Sequence, residues 1–189
     1  MIASISVRDL FPRVLAYAPN VPDPAVRAAV LHGAREFCRE TWLWREWLGP
    51  IEPMPDVEQY QTPLPLDSEF VAVLASDLPG LAMEVQGGGG GVFLAIKVAD
   101  AAEPFSLHCA LMPSNDAEYI PAIIAMRWDD ILVYSATAFL LDIPNASWTN
   151  HALAQRNREL FKAKVGHVKR DVALGHIATP LRVRARRFI

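Results

Sequence analysis

The chain is poor in the residues that hold metal ions or close disulfides. Only two of its 189 residues are cysteine, Cys38 and Cys109, and its five histidines are scattered along the chain. A metal site needs a clustered set of such ligands, so we expect no metal ion and no other cofactor. Cys38 falls in a helical pattern and Cys109 in a strand-like one, which predicts two buried thiols in a reducing compartment.

Long apolar runs are also missing. The most apolar stretch, residues 131–141, is bounded by Asp129, Asp130 and Asp142, and it is shorter than the ~20 residues that cross a bilayer. Arg8 stands where a signal peptide would have its apolar segment. The sequence therefore predicts a soluble protein that is not exported and has no membrane partner.

No arrangement typical of an active site is present. Asp129 and Asp130 are adjacent, and neighbours on a helix point about 100° apart, whereas an acid–base pair must face one substrate. His108 and Cys109 would point to opposite faces of a strand, so they could not form a nucleophile–base pair. We therefore expect no catalytic residue and no enzymatic activity.

What the chain has in quantity is apolar material for one core. Hydrophobic residues make up 52% of it, which is enough to bury a core at this length without metal ions or disulfides. Apolar spacing predicts helices at 6–17, 23–44, from 121 to before Pro144, and from 149 or 150 to Gly175, with Asp23 as the cap of the second. Alternation predicts strands at 70–75, 81–86, 92–98 and 106–111.

The predicted fold class is mainly α with a β-rich insertion (α+β). We expect a helical bundle core with a β flap at about 46–113, together forming a domain at 1–175, and an extended C-terminal arm at 176–189. Five consecutive glycines at 87–91 lie between two predicted strands and predict a flexible hairpin tip. They do not form a phosphate-binding loop, because no Lys and Ser or Thr follow them. Trp42, Trp44 and Trp47 are expected to close one end of the core.

The charge is strongly polarised along the chain. Residues 1–150 carry eight Lys or Arg against nineteen Asp or Glu, a net charge of −11, whereas residues 151–189 carry ten against two, a net charge of +8. In the final segment, basic residues alternate with Leu181, Val183 and Ala185, and the chain finishes on Phe188 and Ile189. This pattern is typical of an arm that becomes ordered on a partner with an apolar groove and acidic groups.

Several short stretches, in this order, resemble a known family: Ala34-Arg35-Glu36-Phe37-Cys38, Glu40-Thr41, Trp44-Arg45, Pro50-Ile51, Leu111-Met112-Pro113-Ser114, Ile120-Pro121, Arg127-Trp128-Asp129-Asp130-Ile131, Leu141, Pro144, Ser147-Trp148-Thr149-Asn150, Leu153-Ala154 and Phe161. The chain resembles the head-to-tail adaptors of short-tailed bacteriophages, also called head completion or tail accessory proteins. The residues that mark the resemblance most are Phe37, Trp44, Arg127, Trp128, Asp129, Trp148 and Phe161. The glycine run is not part of the family pattern.

The resemblance implies a structural virion protein at the head–tail interface, assembled in the host cytoplasm. Such a protein forms a homo-oligomeric ring, expected to be a dodecamer, between the portal protein and the next tail component, which is a nozzle or tail tube protein. The ring extends the channel through which genome DNA passes without specific binding. Portal contacts carried over to this chain fall on Lys169, Arg170, Arg182, Val183, Arg184, Arg186, Arg187, Phe188 and Ile189.

Two other functions compete with the adaptor. A nucleic-acid-binding protein would use the basic residues of the last helix and tail to bind phosphates. Residues 1–150, which we call the acidic body, would repel DNA. A tail-associated peptidoglycan hydrolase would need a carboxylate pair or a nucleophile site, and the sequence offers no convincing one.

Overall fold

The computed structural model describes residues 3–54, 57, 59–78, 83–86, 93–98 and 103–174. After a 3-10 helix at Val7–Leu10, the α-helices are α1 Phe11–Leu15, α2 Asp23–Thr41, α3 Ala122–Arg127, α4 Asp129–Leu141 and α5 His151–Ala173. The strands are β1 Ser4–Ser6, β2 Arg45–Ile51, β3 Gln59–Pro63, β4 Ser68–Ser76, β5 Met83–Gln86, β6 Phe93–Val98, β7 Phe105–Pro113 and β8 Tyr119–Pro121. The mixed α+β class is confirmed.

Helices α2, α4 and α5 form the bundle, with α4 in contact with both of the others. Helix α4 has apolar residues on most of its circumference, as expected for a helix with neighbours on several sides; Ile131, Leu132 and Leu140 are all buried. Gly33 of α2 lies against α4, where an added Cβ would come within 3.1 Å of the Leu132 carbonyl oxygen and of Ser135 Cβ. The missing side chain therefore allows the two helices to approach closely.

The β-rich insertion connects α2 to α3 and contains two three-stranded antiparallel sheets. The strand order is β2-β7-β4 in one sheet and β3-β6-β5 in the other. The short strands β1 and β8 pair with each other beside the first helices. The predicted hairpin of β5 and β6 is confirmed by their pairing, while the glycines at 87–91 lie outside the described residues.

The insertion is fastened to the bundle by a buried ion pair. Both terminal nitrogens of Arg35 on α2 donate to the two carboxylate oxygens of Glu69 on β4, at 2.8 and 2.9 Å. Arg35 also donates to the carbonyl oxygen of Pro113 at 2.6 Å. At the end of α2, the Trp44 carbonyl accepts from the Leu111 amide at 2.9 Å. Strands β4 and β7 are thus tied to α2 and to the residue Trp44 that follows it.

Several local predictions were wrong. The first helix is split into a 3-10 and an α segment, and the cap of α2 is Pro22, with Asp23 already inside the helix. The helix expected from 121 breaks at Trp128, whose φ of −127° leaves the helical region. Trp44 is buried as predicted, but Trp42 is 44% and Trp47 is 55% exposed, so only one of the three indoles closes the core.

Candidate functional site

The last helix, α5, carries two of the predicted portal-binding residues, Lys169 and Arg170. Its start is set by Asn150, whose side-chain oxygen accepts from the Leu153 amide at 3.0 Å, as a helix cap does. Its buried face consists of Ala154, Asn157, Phe161, Val165, Val168 and Val172. This buried face leaves the basic residues of α5 on its remaining surface.

Half of the six Lys and Arg residues on α5 are held by carboxylates of the acidic body. Arg158 donates to Asp142 at 2.9 Å. Lys164 pairs with Asp130 of α4, and Lys169 pairs with Glu40 of α2. These three pairs join α5 to both other bundle helices or their ends, so they position the helix rather than present charge to a partner.

The electrostatics of these pairs follow from their hydrogen bonds. The bond to Asp130 raises the pKa of Lys164, because the carboxylate stabilises the charged ammonium. Hydrogen bonds from His151 and then from Arg158 lower the pKa of Asp142. Both groups are therefore held in their charged forms at neutral pH. The pairs are about half exposed, so salt screens them and each adds little to stability.

The unpaired cations on α5 form its outer basic surface. Arg156 and Lys162 are exposed and make no ion pair with any described residue. Arg170 is also exposed, and its Nη2 lies 2.5 Å from Nδ1 of His167. We call Arg156, Lys162 and Arg170 the outer basic surface.

The predicted portal-binding residues therefore divide into three groups. Lys169 is engaged within the chain by Glu40. Arg170 belongs to the outer basic surface. The remaining predicted contacts lie outside the described residues, namely Arg182, Val183, Arg184, Arg186, Arg187, Phe188 and Ile189.

Of the seven residues that mark the family resemblance, Phe37, Trp44 and Phe161 are buried in the core, and Arg127 is exposed. The rings of Phe37 and Trp128 lie 6.5 Å apart, and the Arg127 guanidinium lies 5.0 Å from the Trp128 ring centroid. Asp129 pairs with Arg13 of α1. These contacts gather four of the seven residues where α2, α3 and α4 meet.

The other three marker residues lie apart from this cluster in the fold. Trp44 follows α2 and donates from Nε1 to Glu46 at 2.7 Å. Trp148 packs on the core from the segment before α5, and Phe161 is buried on α5. Their surroundings are those of packing residues, and they form no common surface.

A groove of about 320 Å³ lies among α2, α4 and α5 and contains several titratable side chains. Ser135 Oγ donates to Glu36 Oε2 at 2.8 Å, and the His32 ring lies 4.7 Å from the Phe139 ring. The serine is thus hydrogen-bonded to a carboxylate, while the histidine ring lies tilted against an aromatic ring. This arrangement differs from a nucleophile activated by histidine.

In the part of the chain that the structure describes, no group of three or more His, Cys, Asp or Glu residues is arranged to hold a metal ion. Likewise, none of the described helices is long and apolar enough to cross a membrane. Cys38 and Cys109 are both unpaired and fully buried, which confirms the prediction of two buried thiols.

The insertion carries an aromatic pair that was not predicted from the sequence. Trp47 of β2 stacks on His108 of β7, with ring centroids 4.8 Å apart and an angle of 12° between the planes. The insertion is also acidic, as the sequence shows directly. Residues 46–96 contain no Lys, Arg or His but eight acidic residues, namely Glu46, Glu52, Asp56, Glu58, Asp67, Glu69, Asp77 and Glu84. Most of the negative charge of the body therefore belongs to the insertion.

In comparison with known proteins, neither a protein-family model nor a curated protein matches the chain.

Proposed function

We propose that this chain is a head-to-tail adaptor of a short-tailed bacteriophage, a structural virion protein that forms a ring between the portal and the next tail component. The observation that carries the proposal is the separation of opposite charge between α5 and the insertion. The outer basic surface lies on α5, and residues 46–96 of the insertion include eight acidic residues and no basic one.

A ring is built by a heterologous contact, which requires two different and complementary surfaces on each subunit. Opposite charges on α5 and on the insertion meet this requirement. They also favour the correct register between neighbours, because like charges brought together are repelled. The proposed ring, expected to be a dodecamer, would extend the DNA channel below the portal.

The proposed portal contacts are Arg170 and the residues of the arm from Arg182 to Ile189. Lys169 is the weaker candidate among the predicted contacts because Glu40 already binds it. Docking of the arm would place apolar and basic side chains on the portal together.

The test is sedimentation of the protein with the portal ring of its own phage. We expect the full chain to co-sediment and a chain ending at Gly175 to stay in the supernatant. A matched control keeps the length and charge of the arm but permutes residues 181–189, and it should also fail to bind. If the shortened chain binds as well as the full one, the arm does not dock; if neither binds, the adaptor proposal is wrong.

Nucleic-acid binding is the second candidate, and the exposed, unpaired Arg156 and Lys162 are the observation that favours it. Binding through phosphates would weaken steeply with salt, because counterions released from the nucleic acid drive it. A gel-shift titration at several salt concentrations measures this slope. Tight binding with a steep slope, lost when Arg156 and Lys162 are changed to Ser, would favour this candidate over the adaptor.

A further inference from the structure

The groove among α2, α4 and α5 is lined by both apolar and charged side chains. Its volume is about 320 Å³. Phe161 and Ala138 contribute buried apolar surface. The charged lining residues are Glu36, Asp142 and Arg158. We call this feature the bundle groove. A concave, partly apolar surface with a few converging polar groups is the usual form of a binding site in proteins.

Glu36 carries a negative charge that no neighbour in the described structure compensates. Its side chain is half-buried, and its Oε2 accepts from Ser135 Oγ at 2.8 Å. No cation of any described residue lies within ion-pair distance of it. The other carboxylate of the groove, Asp142, is paired with Arg158. Withdrawing a carboxylate from water without a cation costs free energy, so a cation that binds beside Glu36 is favoured.

An exposed aromatic ring lies one helical turn from this carboxylate. Ser135 and Phe139 are both on α4, and Glu36 and His32 are both on α2. Each pair has the i, i+4 spacing that places two residues on one face of a helix. The hydrogen bond from Ser135 and the contact of the His32 and Phe139 rings, with centroids 4.7 Å apart, are therefore successive contacts between the helices. One turn rises about 5.4 Å, and Phe139 is 40% exposed in the same groove.

A guanidinium group matches the carboxylate and the ring together. It is planar and always charged, it donates several hydrogen bonds to a carboxylate, and it stacks on aromatic rings. The methylene groups of an arginine side chain can pack on apolar lining such as Ile143 and Pro144. A lysine ammonium would pair with the carboxylate, but it lacks the flat group that stacks on a ring. The chemistry of the groove therefore favours arginine.

We propose that the bundle groove binds an arginine side chain of a partner protein, with the guanidinium between the Glu36 carboxylate and the Phe139 ring. Oε2 of Glu36 stays bonded to Ser135 Oγ, which fixes the carboxylate in place. Oε1, which accepts no hydrogen bond from any described residue, receives the guanidinium. The groove reaches α5 at Phe161, whereas the proposed portal contacts begin at Arg170. The proposal therefore does not rest on the adaptor function.

An NMR titration of the isotope-labelled full chain with N-acetylarginine amide tests the proposal. We expect saturable shifts of the backbone amide signals of Glu36, Ser135 and Phe139. The matched ligand control is N-acetylcitrulline amide, which has nearly the same shape without the charge. It should bind roughly tenfold more weakly, because hydrogen bonds between charged groups are the stronger ones. Shifts that do not saturate, or equal affinities for the two ligands, would overturn the proposal.

Two substitutions on α2 separate binding in the groove from a general effect of charge. Glu36→Gln keeps an oxygen that can accept from Ser135 but removes the negative charge, and the affinity for the arginine ligand should fall roughly tenfold. Glu40→Gln is the matched control, since Glu40 lies outside the groove lining and pairs with Lys169. It should leave the affinity as in the parent. If both substitutions lower the affinity equally, the ligand responds to overall charge and the groove is not its site.

Phe139→Leu tests the contribution of the ring. The substitution keeps an apolar side chain of comparable length but removes the aromatic face. We expect it to weaken binding of the arginine ligand severalfold and to affect N-acetyllysine amide less, because the guanidinium stacks on the ring and the ammonium does not. Equal losses for the two ligands would contradict the position given to the guanidinium.

The source of the arginine is tested by spectra of the protein alone over a range of concentrations. We expect the amide signals of the groove to keep their positions, since the bound side chain belongs to another protein. Shifts of these signals that grow with protein concentration would place an arginine of a second copy in the groove. That result would overturn the assignment to a different partner.

Discussion

Replacing Gly33 by Ala tests whether the close contact between α2 and α4 determines the packing of the bundle. The new Cβ would lie 3.1 Å from the Leu132 carbonyl oxygen and 3.1 Å from Ser135 Cβ, closer than ordinary van der Waals contact. Because both neighbours sit on the buried central helix, relief requires the two helices to separate. Overpacking of this kind costs about 1–3 kcal/mol.

The intrinsic preference of Ala over Gly in a helix acts in the opposite direction, by about 1 kcal/mol. Gly166 of α5 supplies the control, since a Cβ added there would meet nothing within 4 Å. Gly166→Ala should therefore raise the free energy of unfolding by up to about 1 kcal/mol. The helix preference is common to both substitutions, so the difference between the two variants isolates the packing cost.

We expect Gly33→Ala to be less stable than Gly166→Ala by about 1–3 kcal/mol, measured by urea denaturation. For a chain of this size, each kcal/mol corresponds to a shift of about 2–4 °C in Tm. If the two variants gain the same stability, the helices can move apart without cost, and the argument that Gly33 sets their separation is wrong.

Three further predictions concern the ion pair, the helix cap and the thiols. Glu69→Gln should destabilise the protein by about 3 kcal/mol because it leaves the buried charge of Arg35 without its carboxylate partner. Hydrogen bonds from Arg35 lower the pKa of Glu69 below its usual 4.5. The pair therefore stabilises the fold above that pH, and this stabilisation is lost as the pH falls and the carboxylate is protonated. Urea titrations between pH ~6 and ~3 should show a shallower loss of stability for the variant than for the parent. Asn150→Ala should cost about 1 kcal/mol through loss of the cap on α5, and Asn150→Asp should restore most of it; a Tm equal to that of the parent in the Ala variant would contradict the cap. Burial raises the pKa of Cys109 to about 11 and raises that of Cys38 further, so Ellman's reagent should modify neither thiol until denaturant unfolds the chain, and rapid modification in buffer would show that the core opens.

The helices were predictable where local signals agreed. In α5, the cap at Asn150 and the apolar spacing both act within a few residues, so the sequence alone located the helix start and the buried face. The break at Trp128 could not be foreseen, because apolar spacing continues across it and neither Gly nor Pro marks it. At the break, Asp129 pairs with Arg13 of α1, a contact between residues distant in the sequence.

The strands of the insertion were predicted less completely. Strand β2 was missed because Gly49 and Pro50 interrupt its alternation, and it exists because β7 pairs with it. The same pairing leaves Trp47 stacked on His108 at the surface, although a cluster of tryptophans near a helix end suggested core.

Half of the basic residues on α5 are not available to a partner, and the sequence alone does not show which ones. A count of charges treats Arg158, Lys164 and Lys169 as equivalent to Arg156 and Lys162. The fold separates them, since only the first three face carboxylates across the bundle. The tail could therefore be recognised as basic from sequence, whereas the outer basic surface could be defined only from packing.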